Sequence, residues 1–201
     1  MTRNVDVAIV GAGSAGLSAA KEVRKRTDRF LLINDGPYGT TCARVGCMPS
    51  KVLIETAETL SAGRRLAALG VDGAPGRAVN IPAVLGHVRS MRDGYVEGVV
   101  KGMASLKPHT LDGRARFLDR QRLQVGNETV HAERIIIATG SSPVIPSPWQ
   151  AVRKHLLTSE DLFEQTDLPA SLAVIGLGAV GLELAQALSR LGITVTAFDS
   201  G

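Results

Sequence analysis

Val5-Asp-Val-Ala-Ile-Val10 is a short, mostly apolar and β-branched run, the pattern of a strand buried in a parallel sheet. The period then changes. Over residues 15–26, Leu17, Ala20 and Val23 fall on one face, with Lys21, Arg24 and Lys25 on the other, which predicts a helix. Phe30-Leu-Leu-Ile33 predicts the next strand. The same succession returns late in the chain: Leu172-Ala-Val-Ile175 as strand, Leu182 to Leu191 as helix, Val195-Thr-Ala-Phe198 as strand. Between the two, Ser50 to Leu60 reads as a helix with Leu53, Ala57 and Leu60 on one side and Pro49 in its first turn. From Ile81 to Leu106, apolar residues recur at helical spacing (Val84, Val88, Met91, Tyr95, Val99, Met103, Leu106). Gly94, Gly98 and Gly102 form a small-residue stripe on that helix. It reads as a close packing face ahead of a dimer seam, and its glycines weaken the helix.

Residues 114–131 predict short strands at Arg114 to Leu118, at Leu123 to Val125 and around Val130. Arg134-Ile-Ile-Ile-Ala-Thr-Gly140 predicts a buried strand ending in a glycine turn. Residues 63–80, rich in Gly, Ala and Arg, read as a surface connection. Ser142-Pro-Val-Ile-Pro-Ser-Pro148 is extended and resists helix formation, which puts a domain border near 148. Thr158-Ser-Glu-Asp-Leu-Phe163 reads as a short capped helix.

Each strand-to-helix junction carries a Gly-x-Gly-x-x-Gly motif: Gly11, Gly13 and Gly16, then Gly176, Gly178 and Gly181. One such motif alone is a weak signal. Inside a strand-turn-helix-strand unit, the first glycine permits the turn, the second lets backbone approach a pyrophosphate, and the third lets helix pack on strand. An acidic residue about 20 positions on is expected to hold a ribose. Counting 23 positions from Gly176 reaches Asp199; the same count from Gly11 reaches Asn34, with Asp35 next. Either Asn34 or Asp35 can meet the first ribose, Asn34 as a neutral partner. At the second ribose a carboxylate at Asp199 clashes with a 2′-phosphate, and neither Ser200 nor Gly201 after it carries a positive charge, so NAD is expected over NADP, with a basic residue beyond Gly201 and a solvent-facing Asp199 as open alternatives.

Both cysteines lie between these motifs, in Gly39-Thr-Thr-Cys-Ala-Arg-Val-Gly-Cys-Met-Pro-Ser-Lys51. Cys42 and Cys47, with four residues between them, are too few for a secreted disulfide scaffold and read as a redox pair. A helix N-terminus beside them lowers a thiol pKa, and exchange needs the thiolate. Composition changes little in this picture. An apolar content of 44% and a charged content of 21% suit an ordinary globular chain. The net charge of +4 is a mild excess, and 3% aromatic residues leave little for base stacking, so nucleic acid is not an expected partner. The longest apolar run, Leu172 to Leu182, is too short to span a bilayer, and a cytoplasmic location without a membrane partner is expected. His87, His109, His131 and His155 show no metal-ligand spacing, and no metal site is expected.

The Gly39 to Lys51 segment resembles the redox signature of class I flavoprotein disulfide reductases, the family of dihydrolipoamide dehydrogenase, glutathione reductase and mercuric reductase. The two glycine motifs, the Ala138-Thr-Gly140 turn and their order resemble that family too, over essentially the whole chain. The resemblance implies an α/β, Rossmann-like FAD/NAD(P)-binding fold with two dinucleotide-binding βαβ units, the second incomplete. It implies an FAD-binding domain with the dithiol over residues 1–148 and the start of an NAD-binding domain over 149–201. FAD is expected at Gly11, Gly13, Ser14, Ala15, Gly16, Asn34, Asp35, Thr41, Lys51, Ala115, Thr139 and Gly140. NAD is expected at Gly176, Gly178, Val180, Gly181 and Asp199. Cys42 is implied as the interchange thiol, Cys47 as the thiol beside the flavin, and Lys51, paired with Glu183, as the charge at the flavin edge.

The chain departs from the family pattern at Thr40, where a second glycine is usual, and at Asn34, where glutamate is usual. Family members continue into an interface domain that forms a homodimer and supplies a His-Glu acid/base pair. The 201 residues alone are therefore expected to be catalytically incomplete and to hold flavin weakly. The expected activity is dihydrolipoamide dehydrogenase-like electron transfer between NAD(H) and a small or protein-bound dithiol/disulfide. A flavin oxidase, peroxidase or transhydrogenase relative, and an inactive nucleotide-binding or redox-sensing fragment, remain open at this point.

Overall fold

In the computed structural model, residues 2–71 and 78–200 are described, and they form two compact units. Unit 1 comprises residues 1–42 and 95–142; unit 2 comprises residues 43–94 and 143–201.

Unit 1 is built on a six-stranded sheet. Its strands are β1 (Thr2–Val10), β2 (Phe30–Asn34), β3 (Thr110–Asp112), β4 (Ala115–Phe117), β5 (Arg122–Val125) and β6 (Glu128–Ile137), in the order β3-β2-β1-β6-β5-β4. The β3-β2-β1-β6 half is parallel; β4, β5 and β6 form an antiparallel meander. β1 is central, with Val7 opposite Phe30 on one side and Arg134 on the other. Central position explains its apolar run: Ala8 and Ile9 are fully buried. Helix α1 (Ser14–Val23) covers one face, where Val7, Ile9, Ala20, Phe30, Leu32, Met103 and Leu106 cluster. The other face carries Ala8, Leu31, Ile33, Leu123, Val125, Val130 and Ala132. The segments expected around Val130 and from Arg134 are one continuous strand, because β6 pairs with β1 along nearly its whole length.

Unit 2 contains α3 (Cys47–Ala68), β7 (Ser171–Ile175), α5 (Ala179–Arg190) and β8 (Thr194–Phe198), with β7 and β8 paired in parallel. Short helix α2 (Thr41–Val45) precedes α3, and α4 (Ile81–Gly102) follows it. Leu53 and Ala57 of α3 pack with Val88, Phe163, Ala187, Leu188 and Leu191 into the core of this unit.

Several boundaries differ from the sequence expectation. Helix α3 starts at Cys47 and runs to Ala68, so it takes in the beginning of the expected 63–80 connection; residues 72–77 of that connection lie outside the described residues. Helix α4 ends at Gly102, short of Leu106. Met103 N–H donates to both Val99 and Val100 carbonyls, and the chain tightens into a 3-10 helix over Ala104–His109. The glycine stripe is not a close packing face. Gly94, Gly98 and Gly102 are exposed, and a Cβ on any of them meets no atom within 4 Å. Ser147–His155 forms two short 3-10 segments that break at Val152 (φ −113, ψ 16), where an extended linker was expected to run to Pro148, since proline suits a first helical turn. The expected helix over Thr158–Phe163 is a turn followed by a single 3-10 turn, Leu162–Glu164, closed by Thr158 and Asp161 side chains.

Candidate functional site

In unit 1 the first glycine turn joins β1 to α1. Gly11 has φ +110, and a Cβ there would sit 2.2 Å from Ala138 O. A Cβ on Gly16 would sit 1.8 Å from Gly11 O, so only glycine lets the helix start so close to the strand. Gly13 is different: a Cβ there meets nothing within 4 Å. The space above the turn is open, as a pyrophosphate requires. The helical ladder begins with Leu17 N–H donating to Gly13 O at 2.9 Å, which leaves the preceding amides, including those of Ser14 and Ala15, at an open helix N-terminus. These residues fit a dinucleotide.

Asn34 and Asp35, at the end of β2, lie beside this turn, and Ala115 opens β4. Asn34 accepts from Ala12 N–H at 3.1 Å and donates to Gly36 O at 2.8 Å. Asp35 is exposed. Gly113, with φ +141, donates its N–H to Asn34 O at 2.8 Å and leads into Ala115 at the start of β4. Thr139 and Gly140 follow β6, where Ala138 N–H donates to Val10 O at 2.8 Å and Gly140 takes φ +72. Tyr38 donates its hydroxyl to Asp112. Burial, then this hydrogen bond, pushes the Tyr38 phenol up to about 12. Sequence reasoning missed this pair because a tyrosine in a glycine-rich loop gives no periodic signal.

Unit 2 carries the second turn with closely similar geometry. Gly176 has φ +91, a Cβ on Gly181 would sit 1.9 Å from Gly176 O, and a Cβ on Gly178 meets nothing within 4 Å. Val180 is exposed on the first turn of α5. Asp199 directly follows β8 and is exposed, and no hydrogen bond of its side chain is seen among the described residues.

The same unit sets α3 against α5. Cys47 is the first residue of α3 and is exposed. Lys51, one turn later on the same helix face, places its Nζ 2.7 Å from both carboxylate oxygens of Glu183, in the first turns of α5. A weaker pair, Arg190 to Glu58 at 3.3 Å, lies further along the same helices. Cys42 is half-buried in α2, and Thr41 at its start is exposed. Thr40 has φ +62, a conformation a β-branched residue rarely takes. It stands where the family pattern has glycine, the residue that takes a positive φ without strain.

His109 stacks on Phe30 with ring centroids 4.3 Å apart. Among the described residues no cluster of His, Cys, Asp and Glu could hold a metal ion, and no helix is long and apolar enough to cross a membrane.

Two glycine turns, each set between a parallel strand and a helix, with a cysteine-bearing helix tied to the second, define a class of nucleotide-binding redox proteins. Residues 5–200 match the pyridine nucleotide-disulphide oxidoreductase family, and the chain belongs to it. It is 36% identical to a mercuric reductase of Shigella flexneri over 200 residues, 94% of this chain and 35% of the relative. It is 30% identical to a dihydrolipoyl dehydrogenase of Bacillus subtilis (strain 168) over 204 residues, 96% of this chain and 43% of the relative. A solved copper(II) complex of a mutant of the HOCl-induced flavoprotein disulfide reductase RclA from Escherichia coli shares the fold, with a TM-score of 0.81 and 24% identity over 99% of this chain and 43% of that one. The chain thus spans less than half the length of these relatives. The fold is α/β and Rossmann-like, of the flavoprotein disulfide reductase type.

Proposed function

We propose that this chain carries the FAD site, the dithiol and the start of the NAD site of a flavoprotein that passes electrons between NAD(H) and a disulfide. The FAD domain is residues 1–148 and the NAD domain begins at 149. The observation that carries the reading is the two-pronged Lys51–Glu183 contact, 2.7 Å to each oxygen. It joins the helix that Cys47 opens to the helix that the second glycine turn opens. A thiol and a nicotinamide site are thereby held on one frame.

In this reading the Gly13, Ser14 and Ala15 amides would hold the pyrophosphate of FAD, Asn34 and Asp35 its ribose and Ala115 its adenine, with Thr41, Lys51, Thr139 and Gly140 as further FAD-binding residues. Bound FAD supplies two-electron reduction of the Cys42–Cys47 disulfide at the expense of NADH. The protein's own sulfurs do the rest. The Cys42 thiolate attacks the substrate disulfide, and one substrate sulfur leaves and takes a proton. Cys47 then attacks Cys42 in the mixed disulfide, the second substrate thiol departs, and the Cys42–Cys47 disulfide is restored. Lys51, held in place by its ion pair with Glu183, would set its ammonium group at the flavin edge. Asp199 accepts both ribose hydroxyls of NAD, which favours NAD over NADP.

The substrate in this reading is a dithiol/disulfide of the lipoamide kind. The identity to mercuric reductases favours a second reading, in which the same two thiols present a soft metal ion for reduction. An anaerobic half-reaction tests the first. A version extended to a complete NAD domain, supplied with excess FAD and then NADH, should gain two titratable thiols, and lipoamide should remove them. Bleaching of the flavin without new thiols would point instead to an oxidase or transhydrogenase.

A further inference from the structure

One side chain ties down the first glycine turn. Asn34 ends β2, and both ends of its carboxamide are engaged. Ala12 N–H donates to Oδ1 at 3.1 Å, and Nδ2 donates to Gly36 O at 2.8 Å. Its backbone carbonyl accepts from Gly113 N–H at 2.8 Å. Asn34 therefore joins three segments of unit 1: the glycine turn, the connection after β2, and the turn after β3. Gly36 takes φ +134, so its carbonyl is presented by a backbone form that other residues rarely adopt.

The chemistry of this bridge is selective. A carboxylate accepts from Ala12 N–H equally well. It has no hydrogen to give Gly36 O, and would set a charged oxygen against a carbonyl oxygen at hydrogen-bond distance. A leucine or alanine offers neither contact. Only a carboxamide of this length serves both sides.

We propose that Asn34 is a positioning residue for the first nucleotide, and that this bridge, rather than acceptance of ribose hydroxyls, sets its identity. The inference rests on the FAD reading of the first turn. Asn34 holds the turn's free amides in the shape that takes a pyrophosphate before any nucleotide arrives. Its remaining lone pair and remaining N–H face the ribose as a neutral contact of second rank.

The two roles predict opposite signs for one isosteric change. FAD affinity is measured by flavin fluorescence on the whole chain as wild type, Asn34→Asp and Asn34→Ala. As a bridge, Asn34→Asp weakens FAD by about tenfold and binds no better than Asn34→Ala, the loss of one hydrogen bond and the gain of one repulsion. As a ribose acceptor, Asn34→Asp binds FAD at least as tightly as wild type, and that result overturns the proposal. Circular dichroism separates positioning from loss of fold: each variant should keep the wild-type far-UV spectrum and a cooperative urea transition, whereas a misfolded variant loses both. A second measurement needs no variant. In the nucleotide-free wild type, the Ala12 amide should exchange with deuterium about tenfold more slowly than the Gly13 amide after correction for intrinsic rates. Equal rates would overturn the proposal, and this comparison decides alone if Asn34→Asp does not fold. A wild type that binds FAD with an unprotected Ala12 sinks only this inference. A wild type that takes up no FAD sinks the nucleotide reading and this inference with it.

Discussion

The two glycine turns are nearly superimposable in local terms and unlike in their surroundings. In both, the first glycine sits at positive φ and the third leaves under 2 Å between an imagined Cβ and the first glycine's carbonyl. In both, the first glycine's N–H donates to the last residue or near-last residue of the neighbouring strand: Gly11 to Ile33 O at 2.7 Å, Gly176 to Phe198 O at 2.8 Å. The first turn is also pressed by the end of β6, through Ala138; the second meets nothing there among the described residues. The strands differ likewise. Ile9 and Ile33 are fully buried, whereas Ile175 and Phe198 are each 52% exposed. The motif thus dictates the turn, and the packing around it decides how much depends on each glycine.

The largest effect expected is at the third glycine of either turn. Gly16→Ala and Gly181→Ala each force a Cβ onto backbone, which cannot swing aside, and each should cost about 3 kcal/mol or more. Urea unfolding followed by circular dichroism checks this; a tolerated Gly181→Ala would break the likeness of the turns. Next, Gly11→Ala should cost about 2 kcal/mol more than Gly176→Ala. Both pay the strain of positive φ, about 1–2 kcal/mol, but only Gly11 adds a clash with Ala138. Equal costs would mean that β6 yields freely.

The third effect separates the two ribose ends. Asp199→Ala should narrow the preference for NADH over NADPH by about tenfold, or 1.4 kcal/mol, in direct binding measurements. In a version extended to a complete second domain, tighter binding of NADPH than NADH by the unmutated protein would remove the role given to Asp199. The smallest effect concerns stability at Lys51. Its side chain is 58% exposed and that of Glu183 is 44% exposed, so Lys51→Met should cost under about 1 kcal/mol of unfolding free energy. A larger loss would make the pair a structural brace for α3 and α5.

Much of this was legible because glycine and strand patterns are local. Val5 to Val10 could be read as a central strand since a β-branched run with one charge has few other uses, and the spacing from Gly176 to Asp199 follows from helix and strand lengths. Lys51 and Glu183 came together only through resemblance, since nothing in either residue's neighbourhood names a partner so far along the chain. Tyr38–Asp112 and the Asn34 bridge went unread for the same reason: each joins a loop to a distant strand end. The end of α4 was misplaced because apolar spacing continued past Gly102 while the hydrogen bonding tightened. The stripe of Gly94, Gly98 and Gly102 misled because small residues permit close approach without requiring it.

The register of the central strand bears on how the chain comes off the ribosome. Thr2 pairs with Thr129 and Val10 with Ile137, so one of the two neighbours of β1 is synthesised about 127 residues after it. At about 5–20 residues per second, β1 waits roughly 6–25 s for that neighbour. During the wait Ala8, Ile9 and Val10 present an open edge, and residues 43–94, which belong to unit 2, have already emerged. Unit 1 therefore completes its sheet only after residues 43–94 have been made. A nascent chain stalled before Thr129 should remain sensitive to protease and bind a hydrophobic-surface chaperone, whereas one stalled well past Ile137 should not.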